Sequence, residues 1–422
     1  MNVPKPKKLT NGLRYLIVPT DSQTVSVSVL VKTGSAYETK KENGIAHFLE
    51  HMMFKGTKKR LSSKDIAIDF EKIGAFNNAF TSHTMTGYWA KSQKDHAHTI
   101  LEILSDIYNN AQFRNVEIEK EKGVVLQEMA MYEDMPQDKV STMFDALIYP
   151  DQPHGRSVLG TKETVSSLTE QQLRKFYDTH YGRERTWIII SGGVDGAAIE
   201  KDIKKYFQSK NDVAMQSATD VPEPKISKKG SKYSLFEKKT DQVHLIIGME
   251  AEGLEHTDKF TYNLLATILG RGMSSRLFMK MREELGICYY ANAGYSASTL
   301  KAGQFALNAG VDVKRVDLAI KTLLEECELL TTELVSDDEL AKAKQMIKAA
   351  TAMSLELSED VANFYAFQYI SQVEVLTPEQ IYKKVDKITK EDVLRVAKKT
   401  FVVKNMYVAA IGPNISSLKL TI

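Results

Sequence analysis

The chain has 422 residues, more than a single hydrophobic core usually supports, so two or more domains are expected. Hydrophobic residues make up 43% and charged residues 26%, as in ordinary soluble globular proteins. The 56 basic and 54 acidic side chains leave a formal charge of only +2, which gives no support to nucleic-acid binding. Cys288 and Cys327 are too few for a disulfide framework or a thiolate zinc site, so any metal site must use His and carboxylates.

The sequence also gives no sign of a membrane partner. Its first residues, MNVPKPKKLTNGLRYLIV, lack the long apolar core of a signal peptide. No later stretch is apolar over the length that a membrane span needs. We therefore expect a cytoplasmic protein.

The first half of the chain begins with strands and continues with helices. Two alternating runs at 13–18 and 25–31 flank a turn signal and predict a β-hairpin. Apolar periodicity predicts helices at 44–54, 65–73, 97–108 and 115–132, with a β-like run at 80–89 between the second and the third.

The second half repeats this order. A segment with few large apolar residues, 213–232, is the best candidate for a linker between an N-terminal domain, 1–212, and a C-terminal domain, 233–422. Strand-like runs follow at 235–249 and 285–311, and helices are predicted at 260–269, 316–330 and 337–355. Aligning Asp95 with Asp312 gives an offset of about 217 residues between the halves. The predicted fold is therefore α+β, with two homologous domains from an internal duplication, each a mainly antiparallel β-sheet packed with helices.

The string HFLEH is the most informative motif of the first half. On a helix of 3.6 residues per turn, His47, Glu50 and His51 project from one face. Two imidazoles at positions i and i+4 can bind one zinc ion, and a neighbouring carboxylate can take a proton from water at the metal. The spacing predicts a metal site in which Glu50 is a general base and not a ligand.

A third protein ligand is needed, because catalytic zinc sites usually combine three protein ligands with one open position. The helix-like run EIEKEKGVVLQEMAMYED places Glu121 and Glu128 seven residues apart, two turns along one face, and either could be the ligand. Coincidence is the alternative interpretation, since an H-x-x-[DE]-H string arises by chance in roughly 0.02 of chains of this size.

The segment GIAHFLEHMMFKGT, followed by the glutamate of EKGVVLQEM, resembles the inverted-zincin signature of the pitrilysin/insulinase peptidases. That family includes the mitochondrial processing peptidase and its bacterial relatives, and the resemblance covers essentially the whole chain. It implies Zn²⁺ as the cofactor, with His47, His51 and Glu128 as ligands and Glu50 as the catalytic base. It also implies that Glu121 supports the site as a carboxylate that orients a ligating imidazole.

The run NNAFTSHTMTGYWAKS resembles the edge strand of the same family. Asn78, Ala79 and Phe80 are therefore expected to bind substrate, because an extended peptide can add to such an edge through main-chain hydrogen bonds. For Phe80, simple packing is the more common role of an aromatic residue.

The second half has LLATILG where the first has the HFLEH helix, so it lacks the metal ligands. In the run SSRLFMKMREELGICYYANAG, Arg282 and Tyr289 match the paired Arg and Tyr of the family. The resemblance implies a catalytic role for both, in binding a peptide carbonyl or the oxyanion that develops from it. Without that pattern, an Arg on a solvated helix end and a Tyr in a core strand would be the ordinary interpretation.

The function that the resemblance implies is a zinc-dependent endopeptidase that hydrolyses peptides or unfolded polypeptide segments by zinc-activated water inside a dimeric chamber. A homodimer is expected because this chain carries both the zinc set and the Arg–Tyr pair. The alternative is a non-catalytic scaffold or partner subunit of the same fold, although such proteins typically lose the ligands that are present here. A zinc hydrolase that acts on non-peptide bonds is a third interpretation.

Overall fold

The computed structural model of the chain describes residues 3–208, 223–227, 231–297 and 299–415. Its strands are β1 (Lys7–Lys8), β2 (Arg14–Pro19), β3 (Thr24–Val31), β4 (Phe76–Thr81), β5 (Thr86–Gln93), β6 (Thr186–Gly192), β7 (Tyr233–Glu237), β8 (Gln242–Glu252), β9 (Cys288–Ser296), β10 (Ala302–Asp312) and β11 (Tyr407–Gly412). Its α-helices are α1 (Ile45–Met53), α2 (Ser63–Glu71), α3 (Ala97–Asn110), α4 (Asn115–Asp134), α5 (Pro136–Ile148), α6 (Lys162–Ser166), α7 (Glu170–His180), α8 (Gly196–Phe207), α9 (Lys259–Gly270), α10 (Val316–Thr332), α11 (Asp337–Met353), α12 (Ser358–Ile370), α13 (Pro378–Asp386) and α14 (Lys390–Thr400). A π-helix spans Phe278–Glu284.

The first sheet has six strands in the order β1-β2-β6-β3-β5-β4. The predicted hairpin of 13–18 and 25–31 is wrong, because β6 lies between β2 and β3, parallel to the first and antiparallel to the second. The sequence of β6, TWIIISG, is buried along its whole length, which is typical of a central strand with both faces covered. A strand this apolar is stable only inside the sheet, so it separates two strands that are neighbours in the sequence.

The predicted β-like run at 80–89 is two strands rather than one. β4 and β5 pair antiparallel from Phe76 opposite Lys91 to Thr81 opposite Thr86. The polar residues Ser82 and His83 lie in the turn between them, where the Ser82 hydroxyl accepts a hydrogen bond from the Met85 amide. β4 is consequently the edge strand of the six-stranded sheet.

The second sheet has five strands in the order β7-β11-β8-β10-β9, which repeats β2-β6-β3-β5-β4 strand for strand. Each sheet has one parallel pair, and its other pairs are antiparallel. The predicted α+β fold with two homologous domains is thus confirmed. The short 3₁₀ turns Lys94–His96 and Val313–Arg315 precede α3 and α10, so Asp95 corresponds to Lys314 and not to Asp312.

The described residues form two compact units that are not contiguous in sequence. Unit 1 comprises those of Met1–Ala130, Arg156–Pro222 and Ser354–Val375, and unit 2 those of Met131–Gly155, Glu223–Met353 and Leu376–Ile422. These units differ from the halves 1–212 and 233–422 in two segments, 131–155 and 354–375. Most of the proposed linker, namely 213–222 and 228–230, lies outside the described residues.

The two segments carry helices that cover the second face of each sheet. In unit 1, α12 packs against Trp187 and Ile189 of β6, while Ile188 and Ile190 on the other face belong to the core that α1 and α3 complete. In unit 2, α5 packs against β8 and β11. A Cβ atom on Gly248 would lie 1.9 Å from the Phe144 ring of α5, so only glycine admits this ring. Apolar faces on both sides of each sheet therefore determine where the two helices pack.

No helix in the described ranges is both long enough and apolar enough to cross a membrane.

Candidate metal centre

Helix α1 presents its polar residues on one face and buries its other residues in the core of unit 1. His47, Glu50 and His51 share the polar face, as the i, i+3 and i+4 spacing requires. Gly44 precedes the helix with φ of 97°, and a Cβ atom there would lie 2.6 Å from the carbonyl oxygen of Leu159. Glycine is required at position 44 because of the positive φ and because a side chain would collide with the Leu159 carbonyl.

The buried carboxylate of Glu38 accepts hydrogen bonds from backbone amides at the start of α1. Its two oxygens accept hydrogen bonds from the backbone N–H groups of Gly44 and Ala46 and from the Asn43 side chain, each at 2.8 Å. Burial raises the pKa of Glu38 to about 8, and the three donors act in the opposite direction. Because all three contacts are donors, they favour the ionised carboxylate and so act against the effect of burial, as does the positive end of the helix dipole.

Helix α4 brings two further carboxylates to the same place. Ile118, Glu121, Val125 and Glu128 follow one stripe at intervals of three and four residues, and the first three are buried. Burying each of the two apolar side chains contributes about 1.5–3 kcal/mol, which helps to offset the cost of burying Glu121. The acids therefore lie on the stripe that packs into the core, and the rest of α4 is mostly exposed.

Three side chains from α1 and α4 form a group with the spacing of a metal site. The Glu128 Oε2 atom is 3.7 Å from Nε2 of His47 and 3.5 Å from Nε2 of His51. One ligand atom from each of the three residues lies within 4.8 Å of the other two. Ligands about 2.1 Å from a tetrahedral zinc ion are roughly 3.4 Å apart, so this donor set of two imidazoles and one carboxylate fits Zn²⁺. Among the described residues this is the single group of its kind.

The two imidazoles have different surroundings. Burial, together with the neighbouring His51, lowers the pKa of His47 to about 3, so His47 is neutral and able to bind a metal. Its Nδ1 atom has no hydrogen-bond partner in the described part of the chain. The Nδ1 atom of His51, in contrast, lies 2.8 Å from Oε1 of Glu121. A hydrogen bond at Nδ1 leaves Nε2 of His51 free to bind the metal, which is the arrangement that orients a ligating histidine.

Glu50 lies beside this group and is not part of it. Its Oε2 atom accepts a hydrogen bond of 2.6 Å from the Thr81 hydroxyl on β4. Burial raises the pKa of Glu50 above the ordinary range of a glutamate, although the Thr81 hydrogen bond lowers it. A carboxylate with a raised pKa and one oxygen still available is suited to accept and return a proton.

The residues expected to bind substrate lie on the edge strand. Asn78, Ala79 and Phe80 are in β4, which pairs with β5 on one side only. The Phe80 ring lies over Gly87 of β5 and remains 42% exposed, so it is partly packed and partly available. Their role in substrate binding stays a prediction.

Arg282 and Tyr289 come together in unit 2. Arg282 lies on the π-helix, a rare form that is often found at functional sites. Its guanidinium donates a hydrogen bond of 3.3 Å to the Tyr289 carbonyl and lies 5.0 Å from the centroid of the Phe278 ring and 5.5 Å from that of the Tyr289 ring. Tyr289 itself is on β9, the edge strand of the second sheet, and is 69% exposed.

Comparison with known proteins identifies the family. Residues 15–162 match the profile of the insulinase peptidases, peptidase family M16, and residues 167–347 match that of the M16 inactive domain. The chain is also 34% identical over 414 residues to a protein of Rickettsia felis named an uncharacterized zinc protease, with 96% of this chain and 97% of that protein covered. The chain belongs to the M16 peptidase family.

Other M16 relatives agree with this assignment. The beta subunit of the mitochondrial-processing peptidase of Rattus norvegicus is 30% identical over 423 residues, which cover 98% of this chain and 86% of that subunit. A crystal structure of a protease from Helicobacter pylori has the same fold, with a TM-score of 0.89 at 22% identity over 98% of this chain and 100% of that chain. The match of residues 167–347 to an inactive M16 domain includes α9, which has neither a histidine nor a carboxylate.

Three residues near the M16 signature were not predicted from the sequence. Glu38 binds the start of α1, Thr81 binds Glu50, and Lys55 forms an ion pair with Glu121. Glu38 and Thr81 contact residues or backbone amides that no spacing rule connects to them. Lys55 is the exception, because a position four residues after His51 would lie on the same side of a helix that continued that far.

We expect Glu38→Gln to loosen the start of α1. The amide nitrogen of Gln would face a backbone N–H group where a carboxylate oxygen now accepts, at a cost of about 1–3 kcal/mol. Hydrogen–deuterium exchange of a peptide covering 38–54 should become faster and the melting temperature should fall, both measured in the presence of a chelator. The exposed Glu71→Gln is the control. Equal exchange in wild type and Glu38→Gln would mean that Glu38 does not hold the helix.

Proposed function

We propose that this M16 chain is a zinc-dependent endopeptidase that hydrolyses peptides or unfolded polypeptide segments. The observation that carries the proposal is the convergence of His47, His51 and Glu128 within ligand distance of one another, with Glu50 beside them. The relatives named zinc proteases and processing peptidases support it.

His47, His51 and Glu128 would hold the zinc ion, and Glu121 would orient His51. When bound, Zn²⁺ polarises a water molecule and the carbonyl oxygen of the peptide. Glu50 accepts a proton from the attacking water as the new carbon–oxygen bond forms. It then donates this proton to the nitrogen of the leaving amine as the peptide bond breaks. The Thr81 hydroxyl holds one oxygen of Glu50 and leaves the other to carry the proton.

The remaining predicted residues would bind the substrate. A peptide that pairs with β4 would use main-chain hydrogen bonds beside Asn78, Ala79 and Phe80, a mode that tolerates many side chains. Arg282 and Tyr289 would donate hydrogen bonds to the carbonyl oxygen as negative charge develops on it. Their close association in unit 2 supports a shared role.

We further propose a homodimer that encloses a chamber. Two identical chains contain two zinc sets and two Arg–Tyr pairs, so each chain can supply its neighbour with Arg282 and Tyr289. An enclosed chamber would restrict substrates to peptides and unfolded segments. The cytoplasmic location stays a prediction from the sequence.

The metal content of variants tests the assignment of ligand and base. Glu128→Gln should lose most of its zinc, because it removes a ligand, whereas Glu50→Gln should retain about one zinc ion per chain. Atomic absorption after gel filtration measures both, with the exposed Glu119→Gln on the same helix as control. Equal loss in Glu50→Gln and Glu128→Gln would show that base and ligand are misassigned.

Turnover of an internally quenched peptide tests the reaction. We expect wild-type protein to cleave a peptide of ten or more residues, a chelator to abolish cleavage, and Glu50→Gln to lower kcat at least about 100-fold, since a general base is lost. Cleavage that survives both the chelator and Glu50→Gln would refute the mechanism. Zinc-loaded wild type that cleaves no peptide would instead favour the scaffold, or, if it turned over esters, a hydrolase of non-peptide bonds.

Mixing two inactive variants tests the homodimer. Glu50→Gln and Arg282→Ala should each be nearly inactive, and subunit exchange should restore about a quarter of wild-type activity, because half of the dimers would then hold one complete site. Light scattering should give the mass of two chains. A fully active monomer, or a mixture with no gain in activity, would contradict the exchange of Arg282 between chains.

A further inference from the structure

Both oxygens of the Glu121 carboxylate are engaged, and only one of them serves a histidine. Oε1 lies 2.8 Å from Nδ1 of His51, and Oε2 lies 2.6 Å from the ammonium nitrogen of Lys55. The side chain of Glu121 is 4% exposed and that of Lys55 is 25% exposed. One oxygen of the Glu121 carboxylate thus contacts the His51 imidazole and the other contacts the ammonium of Lys55, which is partly exposed to solvent.

Lys55 is held in place by the end of helix α1. The helix ends at Met53, and the Lys55 amide donates a hydrogen bond of 3.1 Å to the Met52 carbonyl. The Lys55 carbonyl accepts a hydrogen bond of 3.0 Å from the guanidinium of Arg114, just before α4. The backbone of Lys55 is therefore held at both its N–H group and its carbonyl oxygen. The ammonium also lies near the negative end of the helix dipole, which favours a cation there.

The Glu121 carboxylate needs this cation because it is buried. A neutral imidazole alone would leave a buried negative charge with a single hydrogen bond, which is costly. Lys55 supplies the positive charge that makes an ionised Glu121 stable next to His51.

We propose that Lys55 is a positioning residue of the metal centre, which holds Glu121 so that its other oxygen orients His51 toward the metal. The inference rests on the proposed function, because it assumes that His51 binds zinc. Lys55 would touch neither substrate nor metal. Its effect would pass from the ammonium to Glu121, from Glu121 to Nδ1 of His51, and from there to Nε2.

A double-mutant cycle on zinc affinity tests this chain of contacts. The dissociation constant of zinc is measured by competition with a fluorescent chelator for wild type, Lys55→Met, Glu121→Gln and the double variant. We expect Lys55→Met to weaken zinc binding about 10-fold or more, as loss of a supporting contact usually does. In the Glu121→Gln background the same substitution should change the affinity less than about twofold, because the residue through which it acts is already neutral.

Lys120→Met is the matched control. Lys120 is exposed and precedes Glu121 in the sequence, but its ammonium pairs with Glu117. It should bind zinc within about twofold of wild type, and the melting temperature of each variant in chelator shows that it is folded. Wild-type affinity in Lys55→Met, or an equal loss in the presence and absence of Glu121, would overturn the role of Lys55. Failure of wild type itself to bind zinc would instead overturn the proposed function.

Discussion

The packing of α4 against α1 is the constraint on which the candidate site depends. His47 and His51 come from one helix and Glu121 and Glu128 from the other, and the sequence separates the two pairs by more than one whole element. The contact is stable because Ile118 and Val125 lie on the same stripe of α4 as the acids. Burial of these apolar side chains brings the carboxylates of Glu121 and Glu128 next to the imidazoles of His47 and His51. Without it, the cost of burying the carboxylates would oppose this arrangement.

The buried charges of unit 1 follow a common pattern. Its three buried carboxylates among the described residues are each paired with hydrogen-bond donors: Glu38 with the amides at the start of α1, Glu121 with His51 and Lys55, and Asp106 with Thr57 and Arg60. The first two sets of contacts hold α1 at both ends, since Glu38 binds its beginning and Lys55 follows its end. The helix that carries His47 and His51 is thus held by polar contacts as well as by its apolar face.

The two homologous domains show how duplication allows chemistry to diverge while strand order stays constant. Both sheets have the same order, and α9 follows β8 as α1 follows β3. The second domain has neither a histidine nor a carboxylate in α9, where most residues are buried in an apolar core. It carries Arg282 and Tyr289 on its π-helix and edge strand instead. The fold is therefore shared between the domains, and the candidate site residues are not.

The sequence was sufficient to predict the family, from a motif resemblance, and the duplicated α+β fold and the shared face of His47, Glu50 and His51, from local periodicity. It left Glu121 and Glu128 equivalent as ligands until the family resemblance was considered. The tertiary structure was needed to show that β6 separates β2 from β3 and that α5 and α12 cover the second faces of the sheets. It was also needed to show the contacts of Lys55 with Glu121, of Thr81 with Glu50 and of Glu38 with the start of α1. These contacts join residues far apart in the chain, and they depend on which apolar surfaces remain to be covered once each sheet has formed.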